Sequence, residues 1–261
     1  MTDSADSSAR YDYSSHDIQS IRRARARIAD VRAFGQSRLR PRLTDPDFLV
    51  LRARRRLLES WIAQLPHMLD ILDVGGRIQP YRSLFAGRER RYLSLDLQVT
   101  GLVDVIGTAE ALPFRSSSFD TVLCTQVLSY VSSPERFFTE AFRVLRPGGA
   151  LIVTAPAVAL PHHDERLRIL RDGFAYFLRD FVDVKIEAEI HSAAGICRTL
   201  AQLAVEGSDS SRRTRLKSRL VVCPLNLLGS ALERVAHRGT RLAPNISAFA
   251  RRPARVNDGS A

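Results

Sequence analysis

Between Leu69 and Pro156 the chain alternates short, almost wholly apolar runs with amphipathic segments, and this alternation restricts its fold more than any other feature. A run that is apolar at successive positions must be covered on both faces. A parallel sheet flanked by helices does this. Strands are expected at Asp70–Val74, Arg91–Leu95, Val103–Ile106, Thr121–Cys124 and Ala150–Thr154. Ser133-Pro134 reads as the start of the helix between the last two, with Phe138, Ala141 and Leu145 on its inner face and Pro147-Gly148-Gly149 as its stop. A further helix is expected near Glu165–Leu178. Phe181–Ile190 alternates like a strand, and Ile246–Ala250 is its candidate antiparallel partner.

Segments outside this core divide the chain. Residues 1–16, rich in Ser, Asp and Tyr, read as a tail. Residues 17–66 read as a helical extension. Its first helix, Asp17–Phe34, places Ile18, Ile21, Ile28 and Val31 on one side among many arginines. Its second begins near Thr44-Asp45-Pro46, with a capping residue before a proline at the first helical position. The core is set at 67–191, a helical insertion with a basic run at Arg212–Arg219 at 192–243, and the last strand with its tail at 244–261.

Chemistry enters at strand ends. Ile71-Leu72-Asp73-Val74-Gly75-Gly76 is a buried strand running into an acidic residue and two glycines, where the chain can turn sharply and approach a ligand closely. Tyr92-Leu93-Ser94-Leu95-Asp96 ends in a second carboxylate, about 20 residues on, the spacing at which dinucleotide-type folds present an acid to ribose hydroxyls. Two more pieces follow: Gly107-Thr108-Ala109-Glu110-Ala111-Leu112-Pro113-Phe114 leading to Ser118-Phe119-Asp120, and Val144-Leu145-Arg146-Pro147-Gly148-Gly149. His162 and His163 fall after the fifth strand, at the carboxyl edge of the sheet, where a histidine can take a proton from a substrate hydroxyl. Tyr81 and Arg82, after Pro80, are candidates for contact with an anionic or sugar substrate.

Leu72-Asp73-Val74-Gly75, Ala109-Glu110-Ala111-Leu112-Pro113-Phe114, Ser118-Phe119-Asp120 and Val144-Leu145-Arg146-Pro147-Gly148-Gly149, in that order, make the stretch from Asp70 to Pro156 resemble the class I S-adenosylmethionine-dependent methyltransferases, in particular their type 11 domain. The resemblance implies an α/β fold: a Rossmann-like, seven-stranded, mostly parallel sheet with helices on both faces. The N-terminal helical extension and the helical insertion before the last strand would be additions to it. It implies S-adenosyl-L-methionine as cofactor. Gly75 and Gly76 would pass under its methionine part and Asp73 would help hold its amino group. Asp96 would take the ribose hydroxyls, with Leu97 against the adenine and Thr108 and Ala109 at the adenine edge. Thr125 and Gln126 would face the sulfonium, and Tyr130 stands where a substrate-side residue is expected. The family pattern Asp-x-Gly-x-Gly-x-Gly is departed from at Arg77 and Gln79, and Thr108 stands where an acid is common.

The expected activity is methyl transfer to a small-molecule, glycan or lipid-linked acceptor, at oxygen by preference. RNA methylation and a non-catalytic scaffold are the alternatives. A net charge of +11 invites nucleic acid, yet nearly all the basic residues are arginine, with only Lys185 and Lys217 as lysines, a bias that fits genome composition better. Cys124-Thr125-Gln126-Val127-Leu128 lacks the Asn-Pro-Pro-aromatic motif of base-amine methylases, and a nicotinamide enzyme would need a fuller Gly-x-Gly-x-x-Gly. The three cysteines, Cys124, Cys197 and Cys223, have no metal or disulfide spacing, so no metal site is expected and a reducing compartment fits. With a polar start and no long apolar run, the expected location is cytoplasmic, with peripheral membrane contact left open.

Overall fold

The computed structural model describes residues 28–161, 164–206, 211–235 and 239–254. Its centre is a seven-stranded sheet in the order β3-β2-β1-β4-β5-β7-β6. The strands are β1 Leu69–Val74, β2 Glu89–Asp96, β3 Val105–Ile106, β4 Phe119–Thr125, β5 Leu145–Pro156, β6 Val182–Ala188 and β7 Asn245–Arg251. β1 to β5 run parallel, and β7 lies antiparallel between β5 and β6.

Alternation along each central strand feeds two apolar layers. Leu72, Val74, Val122, Cys124, Leu151 and Val153 face one side, under α3 (Pro134–Val144) and α4 (Arg171–Phe177). Ile71, Leu123 and Ile152 face the other, against Leu58, Trp61 and Ile62 of α2 (Phe48–Ile62). On α3, Phe137, Phe138, Ala141 and Val144 are buried at helical spacing. The Ser133 hydroxyl caps the helix by accepting from Arg136 N–H, and the Glu110 carboxylate accepts from the N–H groups of Ser132 and Ser133 at 2.8 and 2.7 Å.

Several boundaries differ from the sequence reading for identifiable reasons. α2 starts at Phe48, not at Pro46, because the Asp45 carboxylate accepts from Asp47 N–H at 2.8 Å and holds 45–47 in a turn. α3 ends at Val144, and Leu145 already belongs to β5, pairing with Phe119. The helix expected at 165–178 is only Arg171–Phe177, since Arg166 N–H donates to Ser129 O at 2.7 Å and Ile169 N–H to Pro156 O. β3 shrinks to Val105–Ile106 because the Asp104 side chain accepts from Ser94 N–H at 2.8 Å.

Of the expected Asp17–Phe34 helix, residues through 27 lie outside the described residues, and α1 (Ile28–Leu39) runs on past Phe34. α1 lies over the loops that follow β1 and β2. A Cβ on Gly35 would stand 2.5 Å from Ile78 O, and one on Gly101 would stand 2.6 Å from Ile28 Cγ1. The insertion folds as α5 (Ser192–Val205), α6 (Ser211–Lys217), a π-helical turn (Ser218–Val222) and α7 (Cys223–Val235).

Candidate functional site

The parallel strands end together at Val74, Asp96 and Thr125, and the loops leaving them form the candidate site. Gly75 turns the chain away from β1 at φ 79°, where a side chain is strained, and a Cβ there would stand 2.1 Å from Val127 Cγ2. The N–H groups of Gly75 and Gly76 both donate to Leu95 O, at 2.7 and 3.2 Å, which lashes this loop to the end of β2. Those donors are therefore spent on the loop's own shape. A Cβ on Gly76 would stand 2.8 Å from the Asp73 carboxyl carbon, so the acid fills the inside of the turn.

The two carboxylates differ in setting. Asp73 is 2% exposed, and burial pushes its carboxyl up to about 7, opposed by the hydrogen bond from Tyr92 and assisted by the charge of Asp96. Asp96 is half-buried, accepts from Gln98 N–H at 2.8 Å, and is also raised, chiefly by burial, with Arg77 acting against it. At the opposite edge of the sheet Asp70 is held below the usual carboxylate range by its hydrogen bond from Arg90, with Arg146 assisting at 2.9 Å. Acids at the strand starts are thus saturated by arginine. Among the described residues Asp73 and Asp96, at the strand ends, stand in no salt bridge, and the charges of Arg82 and Arg77 act on them only against the effect of burial.

The two departures from glycine acquire reasons here. Gln79 adopts φ 44°, a left-handed conformation that glycine takes more cheaply, and its amide donates to Leu102 O at 2.6 Å and Ser94 Oγ at 3.0 Å. The side chain therefore ties the first loop to the second. Arg77 turns sideways to donate to Gln98 Oε1 at 2.6 Å, while its carbonyl accepts from Thr100 Oγ1. Its charge acts on the Asp96 carboxylate, against the effect of burial.

The remaining candidates scatter in role. Leu97 is 47% exposed at the tip of β2, free of the core and able to cover a flat ring. The Thr108 hydroxyl accepts from Glu110 N–H at 3.0 Å, and Ala109 is buried. Thr125 closes β4. Gln126 sits at φ 60°, but its side chain turns toward β5 and β7: Nε2 donates to Thr154 Oγ1 at 3.0 Å and Oε1 lies 2.9 Å from the Asn245 amide. Tyr81 is 2% exposed, packed among Trp61, Phe85 and Tyr92 beside Arg54, which places it in the core layer. Arg82 is exposed, stacks over Tyr92 with its Cζ 4.9 Å from the ring centre, and donates to Gln79. Tyr130 is exposed beyond β4. His162 and His163 lie outside the described residues.

Sequence reasoning did not find a buried polar relay behind the site. Arg54 on α2 donates to both carboxylate oxygens of Glu189 at 2.6 and 3.0 Å, and Ser247 Oγ donates to Glu189 at 2.8 Å. With its oxygen facing them, the Asn245 amide accepts from Arg54 Nη2 at 2.9 Å and Gln126 Nε2 at 3.1 Å. A charged residue inside the apolar α2 pattern was the one available signal. Among the described residues no cluster of His, Cys, Asp or Glu has the geometry to hold a metal ion.

Comparison with known proteins agrees with this fold. Residues 85–153 match the family model described as "Methyltransferase domain". The ubiquinone/menaquinone biosynthesis C-methyltransferase UbiE of Roseobacter denitrificans is 47% identical over 49 residues, which are 19% of this chain and 20% of that protein. Phthiotriol/phenolphthiotriol dimycocerosates methyltransferase 1 of Mycobacterium ulcerans is 48% identical over 54 residues, 21% of this chain and 20% of the relative. The matched stretch thus spans about a fifth of the length of each of these relatives. Among solved structures, phosphoethanolamine N-methyltransferase 2 of Haemonchus contortus, in complex with S-adenosyl-L-methionine, superposes with a TM-score of 0.53 at 13% identity. The superposition covers 91% of this chain and 60% of that one, and it shows a shared fold.

Proposed function

We propose, for a chain that carries the methyltransferase domain of the class I family, that the site binds S-adenosyl-L-methionine and transfers its methyl group to a small-molecule, glycan or lipid-linked acceptor. The observation that carries this reading is the pair of carboxylates, Asp73 and Asp96, both raised chiefly by burial, at neighbouring strand ends on either side of a left-handed turn at Gly75. Asp96 would accept from the two ribose hydroxyls and Leu97 would cover the adenine, with Thr108 and Ala109 along its edge. Gly75 and Gly76 would carry the methionine part over a tight turn that a Cβ would disrupt, through Val127 at Gly75 and through the buried Asp73 at Gly76. The residues fit.

The cofactor, when bound, supplies an electrophilic methyl group on a positively charged sulfur with a neutral leaving group. The protein therefore needs no acid for departure. Its work is to align the acceptor and exclude water, which is worth about 7–11 kcal/mol in well-oriented systems. α1, lying over the first two site loops, would do the excluding. Thr125 and the backbone of Gln126 would border the methyl group, and Arg82 and Tyr130 would meet the acceptor. His162 and His163 are our candidates for removing a proton from an oxygen acceptor. We assign cofactor binding to residues 67–191 and acceptor selection to 17–66 together with 192–243, in a protein working in the cytoplasm or at its membrane face.

Isothermal calorimetry with S-adenosylmethionine, S-adenosylhomocysteine and NADH tests the reading. Binding of the first two and not the third is the expected result, and binding of none at millimolar concentration leaves a scaffold. A labelled-methyl screen across quinol, glycan and RNA acceptors then identifies the product. Its carbon or oxygen attachment, read by mass spectrometry, decides between our oxygen preference and the carbon in the name of the Roseobacter relative.

A further inference from the structure

The insertion presents a row of large apolar side chains on its outside. From Ser211 to Val235, α6, the π-helical turn and α7 follow one another without a break. Leu216, Leu220, Val221, Leu227, Leu228 and Val235 on this run are each 40% to 81% exposed. Pro224 and Ala231, also exposed, fill the intervals, so an apolar row continues at three- and four-residue steps along its outside. The inward side buries Val222, packs Leu232 and also carries polar groups. Buried Asn226 donates to Leu43 O at 2.7 Å and Asp45 O at 2.8 Å, and Ser230 Oγ accepts from Arg52 at 3.0 Å.

Charge says what such a face suits. Arg215, Lys217, Arg219 and Arg234 are exposed along the same run. Its one acid, Glu233, is engaged by His191, whose N–H donates to it at 2.6 Å. A row of leucines bordered by arginine and lysine is the pattern of a helix lying in the interface of an anionic bilayer. A second copy would bring the same positive charge to the face. A nucleic acid would use the arginines and leave the leucines in water.

Topology sets both ends of the insertion at the working edge. α5 leaves from the end of β6 and the run returns to Asn245, which pairs with Pro156 at the carboxyl end of β5, the edge where Asp96 and Thr125 end their strands. We propose that the helical run 211–235 docks this protein on an anionic phospholipid surface, with its site edge toward the lipid. The docking stands on the insertion alone and holds whether or not the site transfers methyl groups.

Flotation of the full chain with vesicles tests it, comparing phosphatidylcholine alone with about 30% phosphatidylglycerol, where each basic residue at the surface contributes about five-fold. Binding to the anionic vesicles and not to the neutral ones is expected. Leu220→Glu with Leu227→Glu should lower it at least about ten-fold, the loss of two buried apolar side chains, with the thermal midpoint and circular dichroism unchanged. Replacing Arg215, Lys217 and Arg219 by glutamine should lower it and flatten its salt dependence. Binding that survives the two leucine substitutions overturns the proposal, since it would then arise from basic residues elsewhere or from a general polyanion site. Absence of vesicle binding overturns it too, as does a concentration-dependent dimer that Leu227→Glu dissolves.

Discussion

The Tyr92 hydroxyl on β2 donates to Asp73 Oδ2 on β1 at 2.6 Å, and both groups are buried. This bond crosses between neighbouring parallel strands just below the Gly75 turn, with Asp73 opposite Ser94 and Tyr92 opposite Ile71 in the register. It keeps a carboxyl inside the protein where burial alone would neutralise it. Tyr92 supports the charged form and Asp96 works against it, so the proton on Asp73 becomes sensitive to what occupies the site.

That sensitivity has a sign. The folded protein holds the Asp73 proton up to about 7, against an ordinary value of 3.8. Between those values the native state binds a proton that the unfolded chain has lost. Its contribution to stability is full below the lower value and disappears as pH rises through the upper one. The protein without cofactor should lose thermal stability progressively between about pH 4 and 7.5, and Asp73→Asn should flatten that slope by about 5 °C or more. Tyr92→Phe should cost about 1–3 kcal/mol at pH 8 and less at pH 5.5, since only the ionised acid needs the donor. Differential scanning fluorimetry across pH, read as the difference between each variant and the wild type, checks both.

Asp96 should behave differently, because it is half-buried and its proposed work is on a ligand. Asp96→Ala removes a charge-assisted acceptor worth about 1.5–3 kcal/mol, so affinity for S-adenosylhomocysteine should fall about ten-fold or more while the melting point moves little. The Gln98 N–H that it accepts from is a surface-loop group that water can satisfy. Calorimetry beside a thermal melt separates the two effects. A large drop in melting temperature with affinity intact would make Asp96 a loop residue only.

What could be read from the chain alone follows the range of the forces involved. The strands were legible because runs such as Ile71-Leu72 and Leu151-Ile152-Val153 are buried on both faces, a local pattern with one good solution. The glycine turn and the acid at Asp96 were legible because strand-end chemistry is also local. The start of α2 and the length of β3 were missed because short side chains, Asp45 and Asp104, capture nearby backbone N–H groups. The inward turn of Gln126 and the Arg54 relay were not legible at all. They depend on Thr154, Glu189, Ser247 and Asn245, which only the folded sheet brings near. The distinction between Tyr81 and Arg82, adjacent in sequence with one in the core and one in solvent, likewise required the packing of α2.

The Arg54–Glu189 pair gives a third test. Arg54 is 3% exposed, and the guanidinium is held strongly in its charged form by Glu189. Removing either partner leaves a buried charge, so Arg54→Met or Glu189→Leu should each destabilise by about 3–5 kcal/mol. Arg54→Met with Glu189→Leu should cost less than the two singles added together, because no orphan charge remains. Chemical denaturation of the four proteins gives the coupling. Additive losses would mean that the pair contributes no more than its packing.

Gln79 allows strain and bonding to be weighed separately. Its left-handed backbone costs a non-glycine residue about 1–2 kcal/mol, and the two bonds that its amide donates inward return about 0.5–1.5 kcal/mol each, the third, from exposed Arg82, being one that water can replace. Gln79→Gly gives up both bonds and the strain together, and should fall within about 1 kcal/mol of the wild type. Gln79→Ala keeps the strain and loses the bonds, and should be the less stable of the two by about 1 kcal/mol or more. The Leu102 carbonyl does not add to either loss, because Ser94 Oγ also donates to it at 2.7 Å. Equal stability of the two variants would show that the backbone at 79 relaxes out of the left-handed region once the amide is gone.

Gly75 makes the strictest demand, because two independent obstacles stand against any side chain there. The first is conformational: φ 79° costs alanine about 1–2 kcal/mol wherever its methyl group goes. The second is steric: the methyl group would sit 2.1 Å from Val127 Cγ2 and 3.4 Å from Val127 Cβ. Val127→Ala removes the offending carbon and leaves an ordinary contact with Cβ. Gly75→Ala alone should therefore displace the loop after β4, lowering stability by more than the conformational cost and abolishing cofactor binding. Gly75→Ala with Val127→Ala should recover stability to within about 2 kcal/mol of Val127→Ala alone, the strain being all that remains. Denaturation curves and calorimetry on the three variants test the two obstacles separately. If the double variant is no better than the single, backbone conformation rather than the β1–β4 contact is what reserves this position for glycine.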